Sequence, residues 1–314
     1  IMEEGTELLT RLKKALVDKD PDVALPMFTS CSPGWVKYLE HSSNNLLPNL
    51  STCKSPQQMF GALAKTYYAQ KNNIDPSKIV SVSIMPCVAK KYEITQSKLK
   101  INGLLPVDYV LTTRELAYLL IKHQIDLKKI APEKLDDPLG IPSGAGVIYG
   151  ASGGVMESAL RTAYARLTGK NLTKFNLVKM RGMEGVKKAQ VKIKNKVIKV
   201  VTVDGIGNAK LILEELKKDP RRYDYVEVMA CPGGCIGGGG QPVPTDPEIR
   251  QARAKGLYQI DRHKKIRLAH ENPIVKQIYH EYFTQQSKIN RICHTKYSRK
   301  EREGYKILTS KKTH

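Results

Sequence analysis

The sequence has no run of eighteen apolar residues, so no stretch of it reads as a membrane-spanning helix. Cysteine is sparse, six in 314 residues and scattered, which excludes a disulfide scaffold and suits a reducing compartment. Tryptophan occurs once. Acidic residues are outnumbered, 30 Asp and Glu against 52 Lys and Arg, for a net charge of +22. A nucleic-acid-binding protein is the rival reading that this excess alone suggests. The basic residues, however, run along the whole chain instead of forming one stripe with interleaved aromatics, and no nucleic-acid partner is expected. Positions 281–314 are the densest in positive charge, a solvated tail or an attraction for an acidic partner protein. The start lacks a charged-then-apolar leader, and Ile1-Met2-Glu3-Glu4 runs straight into a helical pattern. That pattern reads as a fragment beginning inside a domain, long enough for two lobes.

The most informative stretch present is Glu227 to Pro242. Cys231 and Cys235 stand four apart, so a helical turn starting at Cys231 would project both sulfurs from one face. Gly233, Gly234, Gly237, Gly238, Gly239 and Gly240 strip side chains from a segment that would lie against something bulky. Backbone N–H groups facing thiolates would suit an anionic cluster, because hydrogen bonds to sulfur set its potential. A helix C-terminus followed by a Gly-rich loop, with both cysteines as small buried hydrophobes, is the other reading of this stretch alone.

Taken in order, Glu3 to Val17 predicts an amphipathic helix on Leu8, Leu9, Leu12 and Ala15, with Glu4 and Glu7 on an exposed flank by pattern. Leu25 to Phe28 predicts a strand feeding Thr29-Ser30-Cys31-Ser32-Pro33-Gly34-Trp35. Ser55-Pro56 opens a helix through Ala69. Ile79 to Ile84 reads as a buried strand running into Met85-Pro86-Cys87, and Tyr109 to Leu111 as a third strand before a capped helix at Thr112-Thr113-Arg114-Glu115. Ser143 to Gly154 matches neither a dinucleotide fingerprint nor a P-loop, so close backbone packing is expected there. Lys187 to Val203 predicts a hairpin with Asn195-Lys196 as its turn. Cys53 and Cys293 read as ordinary buried or partly buried thiols, and His270, His280 and His294 as surface or packing residues, not ligands.

Three strand ends thus deliver Cys31, Cys87 and the Cys231/Cys235 pair, four thiols such as a cubane iron–sulfur cluster requires. These stretches, Thr29 to Trp35, Met85 to Glu93 and Glu227 to Pro242, resemble the three signature motifs of iron-only ([FeFe]) hydrogenases. The similarity continues through Ser55 to Gln58, Thr112 to Glu115, Ser143 to Met156, Val178 to Gly185 and a small-subunit-like segment at Ala269 to Tyr297. The resemblance implies an α/β fold in which two sheet-and-helix lobes clamp a buried iron–sulfur/di-iron cluster, with a small helical C-terminal segment. It implies a catalytic domain over 1–257, a small-subunit-like segment over 258–300 and a basic tail over 301–314.

By the same resemblance, Cys87, Cys231 and Cys235 are cubane ligands, with Cys235 bridging to a di-iron unit that carries CO, cyanide and an aza-dithiolate. Lys90 donates to a cyanide, Met85 and Met229 pack against the two-iron unit, and Gln57 and Pro86 line its cavity. Glu7, Ser51, Glu4 and Cys31 form a proton path. The implied reaction is reversible reduction of protons to H₂, in a cytoplasmic or hydrogenosomal setting. Electrons come from ferredoxin or an NAD(P)H-linked (diaphorase) subunit, and maturation proteins insert the cluster. One departure stands out, because the family pattern has two adjacent cysteines where this chain has Cys31 and Ser32. Either Cys31 shifts to become the ligand, Ser32 ligates through oxygen, or the cubane site is weakened, since an alkoxide is a hard, high-pKa substitute for a thiolate. That departure keeps a non-catalytic relative, an H₂ sensor or an iron–sulfur assembly factor, as the alternative.

Overall fold

The computed structural model describes residues 1–172, 180–193 and 196–301. Helix α1 (Met2–Leu16) turns Leu8, Leu12 and Ala15 inward, with Glu3 and Glu4 in its first turn and Lys13 and Lys14 in its last, complementing the helix dipole. Strand β1 (Met27–Thr29) leads to α2 (Pro33–Ser42), opened by Pro33, whose missing N–H is no loss in the first turn. Helix α3 (Pro56–Leu63) passes through a π-helical turn (Ala64–Tyr68) into α4 (Ala69–Lys71). There follow β2 (Val82–Met85), α5 (Ala89–Glu93), β3 (Tyr109–Thr112), α6 (Thr113–Lys122), α7 (Gly144–Val147) and α8 (Gly154–Thr168). The hairpin β4 (Val186–Ile193) and β5 (Lys196–Asp204), α9 (Ile206–Lys218), β6 (Tyr225–Met229), α10 (Pro247–His263), α11 (Pro273–Glu281) and α12 (Gln286–Cys293) complete it.

Two sheets form the centres of two lobes. In the first the order is β1-β6-β5-β4, with β1, β6 and β5 parallel and β4 an antiparallel edge. Because side chains alternate along a strand, the register sends Met27, Tyr225 and Val200 to one face and Phe28, Val226 and Val201 to the other. The first set packs with Leu8 and Leu12 of α1 and Met156 and Leu160 of α8. The second packs with Trp35 and Leu39 of α2 and Ile212 and Leu213 of α9. Burial on both faces is what parallel strands rich in Val require.

Among the described residues the second sheet pairs only β2 and β3, in parallel. Here the sequence reading of a buried strand fails: Val80, Val82 and Ile84 are 64%, 53% and 48% exposed. Apolar composition alone does not report whether a layer covers the strand. The core of this lobe lies instead between α3, α11 and α12, where Ala62, Ile278, Tyr282, Ile289 and Ile292 cluster. Close packing at Ser143 to Gly154 holds, since a Cβ on Gly153 or Gly154 would fall 2.0 Å from Met180 O or 1.8 Å from Ile148 O. Helix α10 runs unbroken through position 257. Asn195 of the expected hairpin turn, positions 178 and 179, and nearly all of the expected basic tail lie outside the described residues.

Candidate metal centre

Each of three strands ends two residues before a cysteine: β1 at Thr29 before Cys31, β2 at Met85 before Cys87, β6 at Met229 before Cys231. Since β1 and β6 are parallel neighbours, Cys31 and Cys231 leave the first sheet at the same edge. The expected helical turn at Cys231 is absent. Cys231 begins a tight turn closed by Gly234 N–H donating to Cys231 O at 3.0 Å, with Gly233 and Gly234 at φ of +75° and +92°. Those angles suit glycine alone, and only at Cys235 does a short 3-10 turn (Cys235–Gly237) begin.

The glycines that follow join the lobes. A Cβ on Gly238 would lie 2.0 Å from Pro86 O, and one on Gly240 would lie 2.8 Å from Cys87 N. Gly240 N–H donates to Pro86 O, and Arg114 of α6 donates to Gln241 O at 2.8 Å and Gly239 O at 3.3 Å. The cysteine loop of one lobe therefore lies backbone to backbone against the cysteine strand end of the other.

The thiols form one electrostatic group. Burial pushes Cys31 up, with Cys87 adding to the effect and Lys90 opposing it. Burial likewise raises Cys235, which also feels Cys31, Cys87 and Cys231. Cys231 is raised by burial and accepts a hydrogen bond from the Gly239 N–H, the donor-to-sulfur arrangement expected from the glycines. Among the described residues, the one set of three His, Cys, Asp or Glu whose ligand atoms lie within 4.8 Å of one another lies elsewhere, so these thiols do not close on a single ion. Four mutually sensing thiols at wider spacing, one of them accepting from the Gly239 N–H, fit a polynuclear iron–sulfur cluster.

Lys90 is buried at 5% exposure, donating to Cys31 O at 2.6 Å and Glu93 Oε1 at 2.8 Å. Burial works against its charge, yet Glu93 and the neighbouring thiols outweigh this and hold Lys90 above its ordinary value. Glu93 also accepts from Ser55 and Gln57, whose Oε1 accepts in turn from Ser83. This counter-ion was not picked out from the sequence, although its place three residues after Lys90 on a helix was available as a signal. Met229 is buried and Met85 half-buried at their strand ends.

Glu4 and Glu7 do not form an exposed flank. Glu4 is buried, and Ser51 Oγ lies 2.8 Å from Glu4 Oε2 and 3.2 Å from Glu7 Oε2, so Glu7, Ser51 and Glu4 stand in a hydrogen-bonded file. Burial raises Glu4, the charge of Glu7 adds to this, and hydrogen bonds from Ser51 and Thr29 oppose it. Thr29 belongs to β1, which carries the inner end of the file to within two residues of Cys31. At the outer end Arg11 grips Glu7 Oε1 at 2.6 Å. Ser32 occupies the N-cap of α2 without making a side-chain cap.

Two residues before the end of β6, Glu227 accepts from Gly153 N–H at 2.7 Å and Met156 N–H at 2.6 Å, capping α8 with a carboxylate. Burial pushes it up to about 7, against the pull of those two donors.

Comparison with known proteins points to one family. The family described as iron only hydrogenase large subunit, C-terminal domain, matches residues 1–239, and that described as iron hydrogenase small subunit matches 247–300. The chain is 46% identical over 305 residues to the NADP-reducing hydrogenase subunit HndD of Solidesulfovibrio fructosivorans, covering 96% of this chain and 52% of that protein. It is 30% identical over 315 residues to cytosolic iron-sulfur assembly component 3 of Bos taurus, covering 97% and 65%. The solved structure of an apo [FeFe]-hydrogenase HydA1 from Chlamydomonas reinhardtii superposes with a TM-score of 0.82 at 38% identity, covering 96% of this chain and 82% of that one. The chain spans 52% of the length of HndD and likewise 52% of iron hydrogenase 1 of Clostridium pasteurianum.

Proposed function

The chain belongs to the iron-only hydrogenase family, and from that premise we propose that it is the catalytic portion of an [FeFe]-hydrogenase, interconverting protons and H₂. Iron–sulfur cluster binding goes with that family. The proposed finer composition is a [4Fe–4S] cubane joined to a di-iron unit with CO, cyanide and aza-dithiolate ligands, which supplies the redox chemistry and the site where H₂ forms. Cys87, Cys231 and Cys235 would hold the cubane, with Cys31 or Ser32 completing the set. Lys90, kept cationic by Glu93, would anchor an anionic cyanide through a charge-assisted hydrogen bond. Met85 and Met229, with Gln57 and Pro86, would wall the pocket, the soft methionine surface excluding water.

The observation that carries the catalytic reading is the file Glu7–Ser51–Glu4. Burial favours the protonated form of the Glu4 carboxyl, and Ser51 can accept from one side while donating to the other. A protein that only assembles or stores clusters has no use for such a file. The proposed electron donor is a ferredoxin or an NAD(P)H-linked subunit, a reading supported by likeness to a subunit of an NADP-reducing hydrogenase, and maturation proteins would load the cluster. Ser32 and the likeness to an assembly component favour one second reading, a non-catalytic family member.

Infrared spectroscopy of the matured protein in the CO and cyanide stretching region, paired with H₂ evolution from a reduced dye, separates the two. Bands with turnover are expected. Bands without turnover favour the non-catalytic reading, and absence of bands removes the di-iron assignment.

A further inference from the structure

Cys53 and His294, read from sequence as a plain buried thiol and a packing residue, meet Glu7 at the outer end of the carboxylate file. We propose that Glu7, Cys53 and His294 form a binding site for a zinc-class divalent cation, distinct from the four converging thiols.

The ligand atoms of the three lie within 4.8 Å of one another. Cys53 Sγ is 3.9 Å and His294 Nδ1 4.0 Å from the same oxygen, Glu7 Oε2. An ion with Zn–N and Zn–O bonds of about 2.0 Å and a Zn–S bond of about 2.3 Å holds tetrahedral ligands roughly 3.3–3.5 Å apart, so the two edges to Glu7 Oε2 close by about half an ångström and the Cys53–His294 edge by up to about 1.3 Å, through rotamer adjustment. The backbone already holds two of the ligands in register, because Cys53 and His294 form an antiparallel bridge flanked by Lys54 N–H to Cys293 O at 2.7 Å and Thr295 N–H to Thr52 O at 2.8 Å.

The surroundings aim the donor atoms. Arg11 holds Glu7 Oε1, while Oε2 faces Cys53 and His294 and also accepts from Ser51 and from the N–H and hydroxyl of Thr52. Glu3 Oε2, 3.1 Å from His294 Nε2, accepts that N–H, the second partner that metal-bound histidines commonly have, while Nδ1 is hydrogen-bonded to Thr52 Oγ1 at 2.7 Å, a contact that an ion would displace. A cavity of about 570 Å³ lined by Glu3, Glu7, Thr52, Asn290 and His294 opens the Glu7 and His294 side of the site to solvent, whereas Cys53 is buried. A nitrogen, an oxygen and a sulfur together suit zinc over calcium or magnesium, which take oxygen ligands. On binding, the Cys53 S–H bond is exchanged for an S–metal bond and the proton leaves to solvent. Glu7 Oε2 is also the oxygen that Ser51 and Thr52 reach, so an occupied site removes the outer carboxylate from the file. This last consequence rests on the hydrogenase reading above.

The test is zinc titration of protein carrying its iron–sulfur cluster, so that the other thiols are engaged, read by calorimetry and by X-ray absorption at the zinc edge, where iron does not interfere. Expected is one zinc per chain with a single sulfur at about 2.3 Å and lighter ligands at about 2.0 Å. Cys53→Ser should remove the sulfur shell and His294→Asn should weaken binding about tenfold or more, with circular dichroism and iron content unchanged in both. A shell of two or more sulfurs, or affinity unchanged in both variants, overturns the site. Where turnover is present, bound zinc should slow H₂ evolution and Cys53→Ser should relieve it; bound zinc with undiminished turnover overturns the coupling to the file alone.

Discussion

The two sheets do one task in unlike surroundings. Strand β6 is buried along its whole length, whereas β2 alternates exposed and half-buried positions, and a cavity of about 600 Å³ lined by Phe60, Val80, Val82, Ile84 and Leu139 runs beside it. Both nonetheless stop two residues short of a cysteine of the candidate centre. The placement of the thiols therefore does not depend on how deeply each sheet is packed. It depends on the strand ends and on the glycine contacts that lock one lobe's loop to the other's strand end.

The lock is the place where the comparison breaks most completely. Gly238→Val puts a branched side chain where even a Cβ would sit 2.0 Å from the Pro86 carbonyl, and backbone cannot yield as a side-chain tip can. Iron per chain after cluster reconstitution should fall by about tenfold or more while far-ultraviolet dichroism is retained, a contact failure of the overpacking kind. Full iron loading would show that the loop organises without β2. Next in size is a matched pair of core tests by denaturant unfolding. Phe28→Ala, at 1% exposure in the first lobe, should lose about 3–5 kcal/mol, whereas Val82→Ala on the open sheet should stay within about 0.5 kcal/mol. Similar losses would mean that β2 is covered in solution.

The difference between the sheets also explains what was legible in the sequence. Strand-to-turn punctuation at Cys31, Cys87 and Cys231 was readable because Pro33, Pro86 and the glycines mark where strands must stop. Glu4 and Glu7 were ambiguous, since helical spacing puts them on a flank without saying whether Ser51, 44 residues after Glu7, will come to cover it. The exposure of β2 was not legible at all: Val, Ser and Ile spell the same strand with or without a layer over them. The Glu7–Cys53–His294 cluster was hidden for the same reason, as Cys53 and His294 are brought together only by the return of the C-terminal segment.

Carboxylates in the two lobes should respond to pH in opposite senses. Glu227, buried within the first sheet, is pushed up to about 7 from 4.5, so the folded state holds its proton more tightly than the unfolded state. Its contribution is fully present below the unfolded value and is lost as pH rises through about 7, an effect of roughly 3 kcal/mol. Glu115, on the surface of the second lobe, is held down at about 2 by hydrogen bonds from Lys91 and Thr112, so its contribution is present above 4.5 and lost as pH falls through about 2. Urea unfolding of the iron-free chain across that range should show stability declining toward alkaline pH, and Glu227→Gln should flatten the decline. An unchanged slope would remove Glu227 as its source.

The smallest effect belongs to the cap of α6. Thr112 Oγ1 accepts from Glu115 N–H at 3.1 Å while Glu115 Oε2 accepts from Thr112 N–H at 2.7 Å, a reciprocal capping box. Thr112→Ala removes one acceptor and should cost about 1 kcal/mol. Helix α6 buries none of its residues and carries Arg114, whose side chain grips the glycine loop, so its ordering depends more on the cap than a core helix would. The same substitution should therefore speed amide exchange in the first turn of α6 and at Gly239 and Gly240, leaving β5 and β6 unaffected. Exchange altered in α6 alone would mean that the Arg114 contact does not transmit the helix's stability to the cysteine loop.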